Sequence, residues 1–272
     1  MTLLKMMDEN YKALRGYLGI DCQVPLPDQE ISSMDLLIWN CRGAGNKRFK
    51  RNLRKLVQIH RAELMIFMET KVEFKLMGTF FNCIGFTTSI HVDPTGRSGY
   101  IWMLWNPNVV NVRVVETSSQ QIIANILRQD YPDWLLSTVY ARPSSAKRDD
   151  LWDQLEAIAQ HMNDPWLVAG DFNDFTTAND KRSFHGSHQQ TFSRDQRRSR
   201  KFNERIDNCK LIDLGCIGPM LTWSNNREGW SNTMVRLDRA MCNTEWRTTF
   251  PDGAVRNLPC TYSDHSLMIL FT

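Results

Sequence analysis

Eight residues carry the acids, amides, phenol and imidazole from which a site could be built: Asn40, Glu69, Tyr140, Asp171, Asn173, Asp238, Asp264 and His265. Each stands at the border of an apolar run. Asn40 closes LLIWN, Glu69 follows LMIFM, Tyr140 closes WLLSTVY, and Asp171 and Asn173 follow WLVAG. Asp238 follows MVRL, and Asp264-His265 precede SLMILF. Singly, each has an ordinary reading. Asn40 can cap a turn, Glu69 can be an exposed loop acid, Asp238 can pair with Arg239, and DFND (171–174) can be an Asx turn. As a set they fit one chemistry. Carboxylates with an amide oxygen are hard ligands for Mg²⁺ or Mn²⁺ and not for Zn²⁺. Asp264-His265 joins an imidazole to a carboxylate, and Tyr140 and Asn173 can hydrogen-bond phosphate oxygens or a water. A divalent ion, a base and phosphate-oriented donors describe metal-assisted phosphodiester hydrolysis.

Residues this far apart meet only if strands deliver them to one edge. Strand-like runs are LLIWN (36–40), LMIFM (64–68), GYIWMLW (99–105), VVNVRVVE (109–116), QIIANIL (121–127), WLLSTVY (134–140), WLVAG (166–170), MVRLDRAMC (234–242) and SLMILF (266–271). Several are apolar throughout, as in strands covered on both faces. The runs at 109–116 and 121–127, joined by a short polar link, read as an antiparallel meander. Phe49, Leu53, Leu56 and Val57 form a helical stripe. Leu151, Leu155, Ile158 and Met162 form another behind a Ser145 N-cap. Phe202 and Ile206 mark a third helix over 195–208. Many strands with few helices predict an α+β fold, a four-layered α/β/β/α sandwich of two mostly antiparallel sheets flanked by helices. Strand ends then share rims where sites are built. One domain is expected over 35–272. Residues 1–34, with a short helix over 8–17 and then the proline-broken VPLPDQE, read as an N-terminal extension.

The chain of 272 residues is 42% hydrophobic and 23% charged, an ordinary globular balance. No apolar run reaches the roughly 18 residues of a membrane span, and MTLLKMMDEN lacks a signal-peptide core. The seven cysteines, Cys22, Cys41, Cys83, Cys209, Cys216, Cys242 and Cys260, are scattered without C-x-x-C. They predict reduced thiols in an intracellular, non-secreted protein. His185 and His188 form a lone H-x-x-H that reads as loop surface. The net charge of +3 is uninformative, but Arg42 to Lys55 carries seven Lys or Arg and no acid. Lys181 to Lys210 carries nine, against Asp195, Glu204 and Asp207. Such clusters either track a phosphate backbone or form a solvated helix face.

WNCRG (39–43), MET (68–70), VYARP (139–143), AGDFN (169–173), TWSN (222–225), RLDRA (236–240) and YSDH (262–265) occur in the order of the endonuclease/exonuclease/phosphatase family. This DNase I-like set, covering about 35–272, most resembles the endonuclease domain of plant-type LINE retrotransposons. The resemblance implies a Mg²⁺- or Mn²⁺-dependent DNA endonuclease, with Glu69 as principal metal ligand and Asn40 and Asp264 contributing. Asp171 would deprotonate or orient the attacking water, its pKa lowered in a cationic site. Asn173 would hold phosphate or water, and Tyr140 would donate to the phosphate. His265 would contact the scissile phosphate, its tautomer fixed by Asp238. Arg42, Lys47 and Arg48 beside Asn40, with Trp223 and Asn225, would line the nucleic acid, although Trp223 reads equally as a core residue. The resemblance implies DNA as substrate, with RNA as the alternative, and work in the nucleus; a monomer is expected, with no membrane and no protein partner.

The sequence also departs from its relatives. Arg42 stands where abasic-site nucleases tend to place an acid, which thins the expected metal shell. Asp180 and KRSFH (181–185) replace a Glu and paired glycines, and Asp174 has no assigned role. The sequence stops at Thr272, just after the last strand and without a reverse transcriptase region, so a stand-alone fragment or domesticated copy is expected. Two alternatives follow: a silent descendant that binds nucleic acid or has no function, and a phosphoesterase acting on a phosphoinositide or other phosphomonoester.

Overall fold

The computed structural model describes residues 33–92, 101–183, 189–260 and 262–272. The expected helix at 8–17, nearly all of the extension, Gly99–Tyr100 and the His185/His188 pair lie outside them. No helix among the described residues is long and apolar enough to cross a membrane.

The first half of the domain runs β1 (Asp35–Asn40), α1 (Lys47–His60), β2 (Leu64–Met68), α2 (Gly78–Cys83), β3 (Thr88–Val92) and β4 (Ile101–Trp105). It continues with β5 (Asn111–Ser118), β6 (Gln121–Leu127), β7 (Trp134–Tyr140), α3 (Ser145–Ala159), β8 (Trp166–Asp171), β9 (Lys181–Ser183) and α4 (Gln189–Asn208). The remainder is β10 (Ile212–Asp213), β11 (Trp223–Ser224), β12 (Thr233–Val235), β13 (Asp238–Cys242), α5 (Thr244–Thr249), β14 (Ala254–Leu258) and β15 (Leu267–Phe271).

Two six-stranded sheets result, ordered β14-β15-β1-β2-β4-β3 and β10-β13-β8-β7-β6-β5, with a small β11-β12-β9 sheet beside them. The continuous apolar strands are explained by burial on both faces. Leu36, Ile38, Leu64 and Ile66 of the first sheet share one core with Leu136, Leu167 and Ala169 of the second. Their sequence neighbours point outward: Leu37, Met65 and Phe67 pack with Phe49 and Leu53 of α1. On the other side Trp166 and Val168 pack with Leu151 and Leu155 of α3 and with Phe202 and Ile206 of α4. These four layers are the expected sandwich, and β5, β6 and β7 form the expected meander.

Each sheet holds one parallel pair, β1 with β2 and β7 with β8, and the rest of its ladders are antiparallel. A parallel pair needs a crossover, here α1 in one sheet and α3 in the other. Both members of a parallel pair therefore end at the same edge. Antiparallel neighbours begin there, so β13 starts with Asp238 opposite Asp171.

Three expectations are corrected. MVRLDRAMC is two strands, because Arg236 N–H leaves the ladder for Asp180 O at 2.8 Å and the N–H groups of Leu237 and Asp238 both donate to Thr222 Oγ1. The N-cap of α3 is Ser144, not Ser145, and its hydroxyl makes no capping bond. The third helix starts at Gln189, ahead of the expected 195.

Candidate active site

The strand-end residues converge on Asn40. The end of β1 puts Asn40 in complete burial, and its Nδ2 donates to Glu69 Oε1 at 3.2 Å and to Asp171 Oδ2 at 2.9 Å. His265 Nε2 lies 3.4 Å from the same Nδ2. Asn40 Oδ1 is buried and has no hydrogen-bond partner among the described residues. Tyr140 ends β7 in register with Asp171, and its hydroxyl donates to Glu69 Oε1 at 3.0 Å. Asp171 Oδ1 accepts from Asn173 N–H at 2.9 Å, and Asn173 Nδ2 donates to Ala141 O at 2.8 Å. His265 Nδ1 sits 2.9 Å from Asp238 Oδ2, which assigns its proton-bearing nitrogen by the company it keeps. Asp238 does not pair with Arg239; that guanidinium bonds Asp180 and Asp213 instead.

Backbone geometry supports the convergence. Among the eight described non-glycine residues with positive φ, Arg42 (49°), Glu69 (50°), Lys71 (57°) and Asn173 (47°) lie at this rim. Strained backbone concentrates where surrounding structure fixes a functional geometry. Gly170, at φ 145°, sets the approach of β8 to β7: a Cβ there would lie 2.0 Å from Val139 O.

Asp264 sits on the solvent side. Arg42 bridges it to Glu69, with Nη1 2.9 Å from Asp264 Oδ2 and Nε 3.2 Å from Glu69 Oε2. Trp223 Nε1 donates to the same Asp264 oxygen at 3.1 Å, while Trp223 also packs against Phe175, Val235 and Leu237. Trp223 thus belongs to a small core and to the rim at once. Asn225 is used by its own loop, donating to Ser231 O and accepting from Thr233 N–H. Sequence reasoning missed three supports. Ser263 Oγ donates to Asn40 O at 2.8 Å and accepts from His265 N–H, and Thr222 Oγ1 anchors the start of β13. Lys71 Nζ lies 3.5 Å from Glu69 Oε2. Ser263 and Thr222 stand inside the quoted motifs, next to residues already singled out, which is the signal that could have found them.

The protonation states differ across the rim. Burial raises the Glu69 carboxyl, but Arg42, the hydrogen bonds from Asn40 and Tyr140, and Lys71 outweigh it and hold Glu69 below its usual range. Asp171 goes the other way, against the expected fall. Complete burial, aided by Asp238, raises it despite His265 and Asn40. Burial lowers His265, but Asp238 and Asp171 overcome this and bring the imidazole up to about 9. Burial and the two nearby carboxylates raise the Tyr140 phenol, which stays a donor.

Among the described residues of this rim, two groupings could hold a cation. Asp171, Asp238 and His265 bring ligand atoms within 4.8 Å of one another. That set is partly satisfied internally by the Asp238–His265 contact. The oxygen-only set of Glu69, Asp264 and Asn40, with its orphaned buried Oδ1, better fits a hard divalent ion.

The basic clusters diverge. Lys47 and Arg48 are exposed in the first turn of α1, whose N-cap is Asn46, and the Arg48 guanidinium lies 5.9 Å from the Tyr262 ring centroid. In the second cluster several cations are held by acids: Arg205 reaches Asp149, Asp153 and Glu156 of α3, and Lys201 reaches Asp149. Arg148 and Arg198 clamp the buried Asp174 at 3.0 and 2.6 Å, so Asp174 ties α3 and α4 to the loop after β8.

The fold is shared with solved structures. It matches the endonuclease domain of TRAS1, a telomere-specific non-LTR retrotransposon, with TM-score 0.64 and 14% identity over 88% of this chain and 98% of that one. The AP endonuclease LMAP from Leishmania major matches with TM-score 0.69 and 13% identity over 88% and 87% of the two chains. The 3'-5' exonuclease NExo from Neisseria meningitidis matches with TM-score 0.64 and 13% identity over 87% and 98%. Against curated protein sequences the chain gives no significant match. The endonuclease/exonuclease/phosphatase family profile, however, matches residues 37–265, and with these strands, this rim and that match the chain belongs to the endonuclease/exonuclease/phosphatase family.

Proposed function

We propose that the domain spanning 35–272 is a divalent-metal-dependent phosphodiesterase that nicks DNA, of the kind found in plant-type LINE retrotransposons. The observation that carries this reading is Asn40: one buried amide bonds Glu69 and Asp171 together, and its Oδ1 finds no hydrogen-bond partner among the described residues. Glu69, Asp264 and Asn40 would hold Mg²⁺ or Mn²⁺, which when bound neutralises charge developing on phosphate oxygens.

The chain's own groups do the rest. His265, protonated at neutral pH and backed by Asp238, donates from Nε2 to a phosphate oxygen. Asp171, with its raised pKa and its bonds from Asn40 and Asn173, is suited to accept a proton from the attacking water. Asn173 fixes Asp171 through its backbone N–H, and Tyr140 holds Glu69 in place as a positioning residue. Lys47, Arg48 and the positive end of α1 offer a path for the phosphate backbone, with RNA as the less favoured strand. A monomer working in the nucleus fits this reading.

Supercoiled plasmid incubated with Mg²⁺, with Mn²⁺ and with EDTA tests it. Nicking is expected only with metal and is lost in Glu69→Gln. Faster turnover of a soluble inositol polyphosphate than of plasmid would instead favour the phosphomonoester reading. No nicking under any metal condition, with DNA binding unchanged by Glu69→Gln, would leave a nucleic-acid-binding protein without catalysis.

A further inference from the structure

Arg42 lies where the acids meant for the ion come together. Its backbone is left-handed, its Nε is 3.2 Å from Glu69 Oε2, and its Nη1 is 2.9 Å from Asp264 Oδ2. Lys71 Nζ is 3.5 Å from the same Glu69 oxygen. The two carboxylates are largely sheltered, at 13% and 15% exposure, whereas the Arg42 side chain is 40% exposed and has room to leave.

We propose that Arg42 is a resident counter-cation that competes with the divalent ion for Glu69 and Asp264, and that it yields them when its guanidinium passes to a phosphate of bound nucleic acid. This rests on the reading of Glu69 and Asp264 as ion ligands.

The competition follows from charge and geometry. A hard divalent ion needs carboxylate oxygens at about 2.0–2.1 Å for Mg²⁺. The guanidinium now uses one oxygen of each acid. Bringing a second positive charge onto these oxygens while Arg42 stays is opposed by repulsion in a partly buried site. The planar fork of Arg42 matches a phosphate as well as it matches carboxylates, so nucleic acid is the partner able to remove it. Removal of Arg42 by phosphate then frees both acids, which makes metal and nucleic acid bind with positive coupling. Such coupling is reciprocal: each ligand tightens the other by the same factor.

The test is Mn²⁺ binding, followed by loss of the free-ion EPR signal, for the wild type, Arg42→Ala, Arg42→Lys and Glu69→Gln. Far-UV circular dichroism checks that each variant is folded. Arg42→Ala is expected to bind Mn²⁺ about tenfold tighter than the wild type, with Arg42→Lys between them and Glu69→Gln much weaker. In a His265→Ala background, which spares the duplex, added duplex DNA should tighten Mn²⁺ binding when Arg42 is present and leave it unchanged in Arg42→Ala. If Arg42→Ala binds no tighter than the wild type while Glu69→Gln loses binding, the competition is refuted and the metal reading stands. If Glu69→Gln binds like the wild type, the metal reading fails and takes the competition with it.

Discussion

Glu69, just past β2 of the first sheet, and Asp171, at the end of β8 of the second, both accept from the Asn40 amide. Their surroundings nevertheless drive them apart. Glu69 meets Arg42 and Lys71 and is held ionised, while Asp171 meets complete burial and only an imidazole 3.9 Å away, and is raised. Two carboxylates in one site with opposite displacements are how a fold assigns different roles to the same functional group. The first sheet supplies charge at the solvent edge and, just before β15, the His265 imidazole, and the second supplies the buried Asp171 and Asp238 that face it. The difference comes from position in the sandwich. The β2 end opens toward the exposed Arg42, whereas the β8 end is closed by β7, β13 and Asn40.

The strongest way to break this contrast is to neutralise one acid at a time. Asp171→Asn is expected to cut plasmid nicking by about 10²–10⁴-fold, the range for a lost proton-transfer group. It should leave the melting temperature unchanged or higher, since a costly buried charge has gone. Glu69→Gln should also abolish nicking, but with no gain in stability, because its charge is matched by two cations. A melting temperature for Asp171→Asn several degrees below the wild type would show that the buried side is not the strained one.

Next in size is Gly170→Ala. The new Cβ would sit 2.0 Å from Val139 O and 2.8 Å from Met68 Cε, at a φ of 145° that side chains rarely adopt. Backbone strain and overpacking together cost about 3 kcal/mol or more. Urea unfolding measures it. A loss under about 1 kcal/mol would mean that β7 and β8 separate easily and that the dry side is not rigid.

A smaller effect separates the two sides by pH. His265, with a folded-state value of about 9, lies above the roughly 6.5 of an unfolded imidazole. Its protonation therefore stabilises the fold fully below about pH 6.5, and that contribution is lost as pH rises through about 9. The raised Asp171 carboxyl makes the fold lose stability in the same direction, its buried charge becoming costly as pH rises above the ordinary carboxylate range. Urea midpoints of the wild type and His265→Gln should differ most near pH 6.5 and converge toward pH 9. A gap that widens with pH refutes the ion-pair account.

Much of this site was legible because polar residues ending apolar runs are conspicuous. Asn40, Tyr140 and Asp171 close strands that read as strands, and β6 and β7 were found residue for residue. Other parts were hidden for physical reasons. The strand β14 (AVRNL) mixes Arg256 and Asn257 into its run and gives no clear period. The break inside MVRLDRAMC depends on Thr222 and Asp180, partners supplied by tertiary structure alone. The fall expected of Asp171 assumed a cationic environment, but complete burial and Asp238 outweigh the pull of His265, while Arg42 and Lys71 are engaged by Glu69. Asp174 could not be assigned because its meaning lies in Arg148 and Arg198 from two helices, and Asp180 likewise anchors Arg239 instead of facing the rim.

The mildest prediction asks whether the solvent-facing side alone meets nucleic acid. Arg48 is exposed at the start of α1 near the rim, while Arg205 is engaged by Asp149, Asp153 and Glu156 of the neighbouring helix. Removing a phosphate-contacting cation lowers the slope of log affinity against log salt by about one, whereas removing a cation held in protein ion pairs does not. Arg48→Ala should accordingly weaken duplex binding uniformly across sequences and reduce the slope by about one. Arg205→Ala should keep the slope and lose about 0.5–1 kcal/mol of stability, the modest contribution of a partly exposed network. Fluorescence anisotropy at several salt concentrations distinguishes them. Equal slope changes in both variants would put the nucleic acid across α4 as well, and the division between a charged, substrate-facing side and a closed, dry side would no longer hold.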